Sequence, residues 1–199
     1  NLIGRIASAA LADHFGLKAN FIALAILNLL RGALVMVTIQ SARLPTMPGR
    51  ADGVRGIRAN LARSDMRAAF LIGFCILFAF IGAFTYVNFV LVRAPLALAP
   101  MTLGFVYLVF APSLATTLAA GAVVQRFGTK TALRGGLVVA TVGLPLALAP
   151  SLAPVLVGLT LVGAGTFFAQ AVASSYVGRN ATEDRGAASG LYLASYFLG

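Results

Sequence analysis

Long apolar runs separated by short polar stretches dominate the chain. A helix that crosses a bilayer needs about 20 mostly apolar residues at a rise of 1.5 Å each. Five complete spans are predicted on this basis, at residues 21–39, 69–91, 104–124, 135–150 and 152–177. Partial spans are predicted at residues 1–13 and 187–199. The runs are continuous rather than alternating, which favours helices over a β-barrel. The pattern predicts an all-α, polytopic membrane protein.

The composition supports this class. Apolar residues make up 60% of the chain and charged residues 10%, against about 45–50% and 25% in soluble domains. The net charge of +10 does not indicate nucleic-acid binding, because the basic residues lie between apolar runs. The single cysteine, Cys75, lies inside such a run and has no partner for an intrachain disulfide.

The basic residues of the loops predict the orientation of the chain. Eleven of them fall on one side of the predicted spans and two on the other. Cytoplasmic loops carry the excess of Lys and Arg. The loops at 40–68, 125–134 and 178–186 are therefore predicted to be cytoplasmic, in a multi-pass protein whose partners include the lipid bilayer.

The loop at 40–68 differs from the others in length and pattern. Val54, Ile57 and Leu61 fall on one helical face between arginines. This arrangement is typical of a short amphipathic helix on an anionic leaflet, although a solvated linker would also fit. In either case the loop is the predicted boundary between two helical bundles.

Two segments resemble a known family. Residues 121–133, GAVVQRFGTKTAL, resemble the G-x-L-x-D-R-x-G-R-R loop motif of the major facilitator superfamily, in the copy between its eighth and ninth helices. The opening GRIASAALADHFGLKANFIALAIL resembles the fifth helix, outer loop and sixth helix of the drug and sugar efflux branch. The matching positions of the loop motif are Gly121, Arg126, Gly128 and Lys130, with Gln125 where an acidic residue is usual.

The resemblance implies a twelve-helix, two-bundle transporter fold. Residues 1–39 then form the last two helices of the N-terminal bundle, 40–68 the inter-bundle loop and 69–199 part of the C-terminal bundle. The chain begins with Asn1 and stops within an apolar segment, so an internal fragment from about the fifth to the eleventh helix is expected. In the family the motif loop latches neighbouring helices, and Gln125 leaves open a latch without charge or a plain topogenic loop.

Two arginines lie inside the predicted spans. Arg31 is near the centre of its span, where insertion costs at least about 2.5 kcal/mol, so it is expected to face the bundle interior. There it would attract anions in a substrate cavity or act as a structural residue. Arg5 precedes a stretch of small residues and is a second candidate for substrate contact.

Uncharged polar residues in the spans supply the other cavity candidates. Thr166, Gln170 and Ser174 recur at i, i+4 and i+8 on one helical face. This stripe would line a cavity or form hydrogen bonds across helices. Asn88 is costly in lipid unless its amide is satisfied, which makes it a fourth candidate.

Small residues and proline predict local helix geometry. Gly165, Ala169 and Ala173 form a stripe that favours close helix–helix contact. Pro112, followed by the hydroxyl of Ser113, predicts a bend at which side chains satisfy freed backbone groups.

The complete protein is predicted to be a secondary active transporter of a small solute, working by alternating access in the direction of efflux, in the bacterial inner membrane. No cofactor or metal is expected, because no ligand cluster occurs. No Asp or Glu lies within a complete span, so proton coupling would need Asp13 or the missing remainder of the chain. A non-transporting scaffold or receptor is the alternative. An intramembrane enzyme fits less well, since GAASG at 186–190 lacks a histidine base.

Overall fold

The structure, a computed structural model, describes residues 2–38, 53–98, 100–181 and 184–199. Within these ranges the chain is helical and contains no strand. It divides into two compact units, residues 1–50 (unit 1) and residues 51–199 (unit 2). The assignment of these residues to two bundles stays a prediction.

Unit 1 contains two helices that follow one another across a kink and are labelled together as helix α1. Helix α1 covers Leu2–Thr38 with one non-helical residue, Gly16, at φ 80° and ψ 165°. Ser8 Oγ donates to Asn20 Oδ1 at 3.0 Å, and Asn20 Nδ2 donates to Ser8 Oγ at 2.8 Å. In a straight helix these residues would lie about 18 Å apart. The chain therefore reverses at Gly16, between the predicted spans at 1–13 and 21–39.

Unit 2 contains seven further α-helices within the described residues. They are α2 (Gly53–Ala62), α3 (Ser64–Val92), α4 (Pro100–Val106), α5 (Ala111–Phe127), α6 (Thr129–Leu146), α7 (Leu152–Asn180) and α8 (Arg185–Leu198). A 3₁₀ turn, Tyr107–Phe110, joins α4 to α5.

Four described helical segments are long and apolar enough to cross a membrane. They are His14–Thr38, Ser64–Val92, Thr102–Phe127 and Leu152–Asn180, and each matches a predicted span. The fifth, predicted at 135–150, corresponds to α6, which is displaced towards the N-terminus. Its 18 residues include Lys130 and Arg134 in the first two turns, so it does not carry an apolar run of full spanning length.

Helix α7 is the centre of unit 2 and packs against α3, α5, α6 and α8. Its contact with α6 brings backbones together. A Cβ added at Gly143 would lie 2.5 Å from the Gly158 carbonyl oxygen, and one added at Gly165 would lie 2.5 Å from the Gly136 oxygen. Ala169, on the same face, is fully buried. The prediction of a close helix contact along this stripe is confirmed.

The irregular segment before α5 agrees with the predicted bend. Pro112 lacks an N–H and its ring crowds the carbonyl of residue i−4, which lies in the 3₁₀ turn. The Ser113 hydroxyl donates to the Phe110 oxygen. Thr116 Oγ1 donates to the Ser113 oxygen at 3.1 Å and to the Ala164 oxygen of α7 at 3.3 Å. Hydroxyl groups thus stabilise the backbone around the proline.

The predicted amphipathic helix is present as α2. Val54, Ile57 and Leu61 are 77%, 40% and 44% exposed, so the apolar face is uncovered in unit 2. The opposite face is buried: the Asn60 amide donates to the Gly56 oxygen at 2.8 Å. The placement of this helix on a leaflet stays a prediction.

An ion pair at the start of α3 is hydrogen-bonded to the end of α7. Arg63 Nη2 lies 2.7 Å from Asp65 Oδ2, and Arg63 Nη1 donates to the Asn180 oxygen at 2.7 Å. The Tyr176 hydroxyl donates to Asp65 at 3.1 Å. The hydrogen bond to the Asp65 carboxylate raises the pKa of the Arg63 guanidinium. These contacts place the ends of α3 and α7 side by side.

Candidate functional site

An amide and a phenol meet between α3 and the 3₁₀ turn. Asn88 Nδ2 donates to the Phe84 oxygen at 2.9 Å and to Tyr107 Oη at 3.3 Å. The Tyr107 hydroxyl can donate in return to Asn88 Oδ1, at 3.4 Å. These contacts satisfy an amide that would be costly to leave unpaired in apolar surroundings.

Aromatic rings continue from this pair towards α7. Phe80 and Phe84 precede Asn88 on α3 at intervals of four residues, so the three share one face. The Phe84 and Phe110 ring centroids lie 4.6 Å apart. The ring of Phe167, on α7, lies 5.3 Å from that of Phe80. Edge and tilted contacts at these distances are favourable for aromatic pairs.

A second polar pair lies on the same side of α7. Gln170 follows Phe167 by three residues, which places the two on neighbouring positions of one face. The hydroxyl of Tyr192, on α8, donates to Gln170 Oε1. Tyr192 is 2% exposed. Its ring lies against Gly73 of α3, where a Cβ would approach it to 2.8 Å.

Together these side chains form an aromatic–amide band across α3, the 3₁₀ turn, α7 and α8. Its members are Phe80, Phe84, Asn88, Tyr107, Phe110, Phe167, Gln170 and Tyr192. They offer aromatic faces and a few hydrogen-bonding groups, and none of them is acidic or basic. Side chains of this kind suit contact with a small solute that has an apolar or aromatic body and few polar groups.

The three residues of the predicted polar stripe of α7 have different surroundings in the structure. Gln170 belongs to the band. Thr166 is buried and its hydroxyl donates to the Val162 oxygen at 2.7 Å. Ser174 is exposed and its hydroxyl donates to the Ala171 oxygen at 3.2 Å. Asn88 and Gln170 are thus the two candidates that belong to the band, and a cavity role for Thr166 and Ser174 stays a prediction.

The two arginine candidates lie in unit 1. Arg31 belongs to the second helix of α1, and its side chain is exposed within the described unit. Arg5 lies in the first helix, but its side chain falls outside the described residues. A position of Arg31 towards the bundle interior and a substrate contact by Arg5 both stay predictions.

The motif loop forms the turn between α5 and α6. Gly128 has φ 80° and ψ 157°, and its N–H donates to the Val124 oxygen at 2.9 Å. A side chain is strained in this conformation, so glycine at position 128 allows the turn. Gly121, Gln125, Arg126 and Lys130 are exposed. A latch through this loop stays a prediction.

A metal site would need several ligands in one place. Among the described residues, no group of three or more His, Cys, Asp or Glu side chains could hold an ion. The band itself contains no His, Cys, Asp or Glu side chain.

Comparison with known proteins decides the family. The profile of the Major Facilitator Superfamily matches residues 1–199. The chain belongs to the major facilitator superfamily. This confirms the predicted class, an all-α, multi-pass membrane protein of the two-bundle transporter fold.

Three relatives of the chain are described as transporters or transport proteins. The inner membrane transport protein YnfM of Escherichia coli is 34% identical over 198 residues, covering 98% of this chain and 48% of its own length. The MFS-type transporter YybF of Bacillus subtilis is 26% identical over 200 residues, covering 100% of this chain and 50% of its own. A transporter of Buchnera aphidicola is 25% identical over 198 residues, covering 98% and 48%.

These alignments also show how much of each relative the chain covers. It spans about half the length of the curated relatives it matches. No solved structure matches it.

Proposed function

We propose that the complete protein is a secondary active transporter that exports a small solute across the bacterial inner membrane by alternating access. Membership of the superfamily and the transporter descriptions of three relatives support transport. The description of the Escherichia coli relative supports the inner membrane. The direction, efflux, rests on the resemblance of the opening segment to the efflux branch.

The aromatic–amide band is the proposed solute contact of the second bundle. The observation that carries it is the pair of interhelical bonds Asn88–Tyr107 and Gln170–Tyr192, with aromatic rings in tilted and edge contact between them. Each bond satisfies a polar group within an apolar span. When helices separate to admit a solute, its polar groups take over these bonds, so the site opens without leaving unpaired amides.

The orientation follows from charge. The turns α2–α3, α5–α6 and α7–α8 are proposed to face the cytoplasm, with the arginine-flanked α2 on the anionic leaflet. The same arrangement would extend the band along α3 from Gly73, against which Tyr192 packs, to Asn88, about 14–36 Å from the start of α3 at 1.5 Å per residue. Coupling to protons is tested in the transport assay by comparing rates with and without a pH gradient.

The test is transport by the full-length protein in everted vesicles. Ethidium, fluorescein and a neutral coumarin serve as cationic, anionic and uncharged aromatic probes, with and without a pH gradient. Asn88→Ala and Gln170→Ala should each reduce the initial rate at low solute concentration about tenfold, as expected for one lost hydrogen bond of a buried amide.

Matched tyrosine variants provide the control. Tyr192→Phe removes the hydroxyl that bonds Gln170, whereas Tyr86→Phe removes a hydroxyl from a side chain of α3 that is 73% exposed. Only the first should slow transport. Normal rates in Asn88→Ala, Gln170→Ala and Tyr192→Phe at equal expression would contradict the site, and transport of none of the probes would contradict the solute class.

A further inference from the structure

Helix α2 contacts the rest of unit 2 through its polar face. It packs against α3 and α8, while its apolar face is exposed. Its buried residues, among those described, are Gly56 and Asn60, which are four residues apart and therefore lie on one face. A surface helix usually packs with its apolar side towards the protein. The contact of α2 with unit 2 is instead centred on a small residue and an amide.

The start of α8 receives this face of α2. The Asn60 amide, which also bonds the Gly56 oxygen, donates to the Asp184 carbonyl oxygen at 3.4 Å, across 124 residues of sequence. Asn60 is 2% exposed. A Cβ added at Gly56 would lie 2.7 Å from the Asp184 Cβ. The absence of a side chain at Gly56 therefore allows α2 to approach α8 this closely.

Asp184 is itself held in place by α8. It is the N-cap residue of that helix, and its Oδ1 accepts a hydrogen bond from the Ala187 N–H at 2.9 Å. Such a cap satisfies a backbone N–H that has no partner within the helix. The residue on which α2 rests is thus fixed to a helix of unit 2.

A second anchor lies where α2 meets α3. Arg63 separates the two helices, and its guanidinium donates to both Asp65 carboxylate oxygens, at 3.2 and 2.7 Å. It also donates to the oxygen of Asn180, the last residue of α7, at 2.7 Å. The last carbonyl groups of a helix lack helical partners and favour a cation. The anchors at Asp184 and Asn180 together fix the position and the direction of α2.

We propose that α2 is a fixed part of unit 2 and stays on the α7–α8 turn while the transporter changes conformation. A helix that moved independently of unit 2 would have to give up the contacts at Asp184 and Asn180 together. Although α2 belongs to the predicted inter-bundle loop, it then moves with unit 2 as one body. The proposal rests on the proposed alternating access only for the movement, and the docking of α2 is tested separately.

A disulfide tests the docking. Gly56→Cys and Asp184→Cys are combined in the full-length protein, with Cys75 and any other cysteine replaced by Ser. A disulfide holds two Cβ atoms about 3.5–4.5 Å apart, so a shift of about 1–2 Å is enough to join this pair. Mild oxidation of membranes should therefore cross-link it. Arg58→Cys with Asp184→Cys, in which the first cysteine is on the exposed face of α2, should not cross-link. No disulfide in the first pair, or equal cross-linking of both, would overturn the proposal.

Transport by the cross-linked protein tests the movement. Everted vesicles with the Gly56→Cys and Asp184→Cys pair are assayed after oxidation and again after reduction with dithiothreitol. The two initial rates should be equal, because α2 does not leave the turn during the cycle. Loss of transport on oxidation, with recovery on reduction, would overturn the proposal. Absence of transport in the wild type would contradict the proposed function instead, and a distance measurement then decides on α2.

A spin-label distance needs no transported solute. Labels at Arg58→Cys on α2 and Gly190→Cys on α8 occupy exposed positions. Double electron–electron resonance in proteoliposomes should give one narrow distance distribution with and without a pH gradient. Gly56→Leu should broaden this distribution because its side chain would strike Asp184, whereas Ala62→Leu, at an exposed position of α2, should not. A broad or two-peaked distribution without either leucine, or no effect of Gly56→Leu, would overturn the proposal.

Discussion

Two turns of this chain share the sequence Phe-Gly-x-Lys and the same glycine backbone. They lie at residues 15–18 in unit 1 and 127–130 in unit 2. Gly16 has φ 80° and ψ 165°, and Gly128 has φ 80° and ψ 157°. Side chains are rarely tolerated in this region of backbone conformation. In both places the chain reverses at a glycine with this backbone conformation.

The helices that follow the two turns are held in different ways. In unit 1, Ser8 and Asn20 bond across the turn, and Asn20 is only 8% exposed. In unit 2, α5 and α6 both pack on α7 and leave a groove between them. The turn sequence thus determines the reversal, whereas the side chains that face inward determine whether the two helices close on each other.

The largest expected effect concerns the contact that holds α6. Gly143→Leu adds a side chain at a position where even a Cβ would lie only 2.5 Å from the Gly158 oxygen. Because two backbones must move apart, we expect a loss of about 3 kcal/mol in the free energy of unfolding. Reversible unfolding of the full-length protein in mixed micelles measures it.

Gly135→Leu is the control on the same helix. It adds the same side chain on the groove face, where space is open, and should change the free energy of unfolding by less than about 0.5 kcal/mol. Equal losses of unfolding free energy in Gly143→Leu and Gly135→Leu would mean that α6 is packed on both faces. The difference in helix packing after the two turns would then not hold.

The next effect concerns the turns themselves. Gly128→Ala and Gly16→Ala each introduce a Cβ at a φ of 80°, and we expect each to cost about 2 kcal/mol. Similar losses, measured in the same unfolding assay, would support a common turn. A loss at Gly128 with none at Gly16 would show that the first turn relaxes and that the two are not equivalent.

The smallest effect concerns the polar pair of the first turn. Asn20→Ala should cost about 0.6–1 kcal/mol, the usual range for one interhelical hydrogen bond in a membrane. Ser8→Ala with Asn20→Leu removes both polar partners and should recover most of that loss, because neither group is left unsatisfied. Additive losses in the double variant would indicate that each residue acts alone.

Most of the fold could be predicted because a membrane helix is a long run of apolar residues, and glycine and proline interrupt such runs. The predicted spans correspond to α1, α3, α5, α6 and α7, and the irregular entry to α5 follows from Pro112. The start of α6 was less accurate. Its helical hydrogen bonding begins directly after Gly128, six residues before the apolar run that defined the predicted span at 135–150, and hydropathy does not report hydrogen bonds.

The site was only partly predictable because its pairs join distant segments. Asn88 and Gln170 could be singled out as polar residues in apolar spans, but their partners Tyr107 and Tyr192 lie 19 and 22 residues away on other elements. The aromatic rings between them are common in membrane helices and carry no local signal. Thr166 matched the polar stripe, yet a threonine in a helix can bond its own backbone, as it does here.

The most direct test of the solute site is equilibrium binding to the purified full-length protein. Whichever aromatic probe is transported should bind Gln170→Ala about tenfold more weakly than the wild type, because the amide of the band is removed, and bind Tyr86→Phe with wild-type affinity. Equal affinity in Gln170→Ala and the wild type would contradict the assignment of the aromatic–amide band to solute binding.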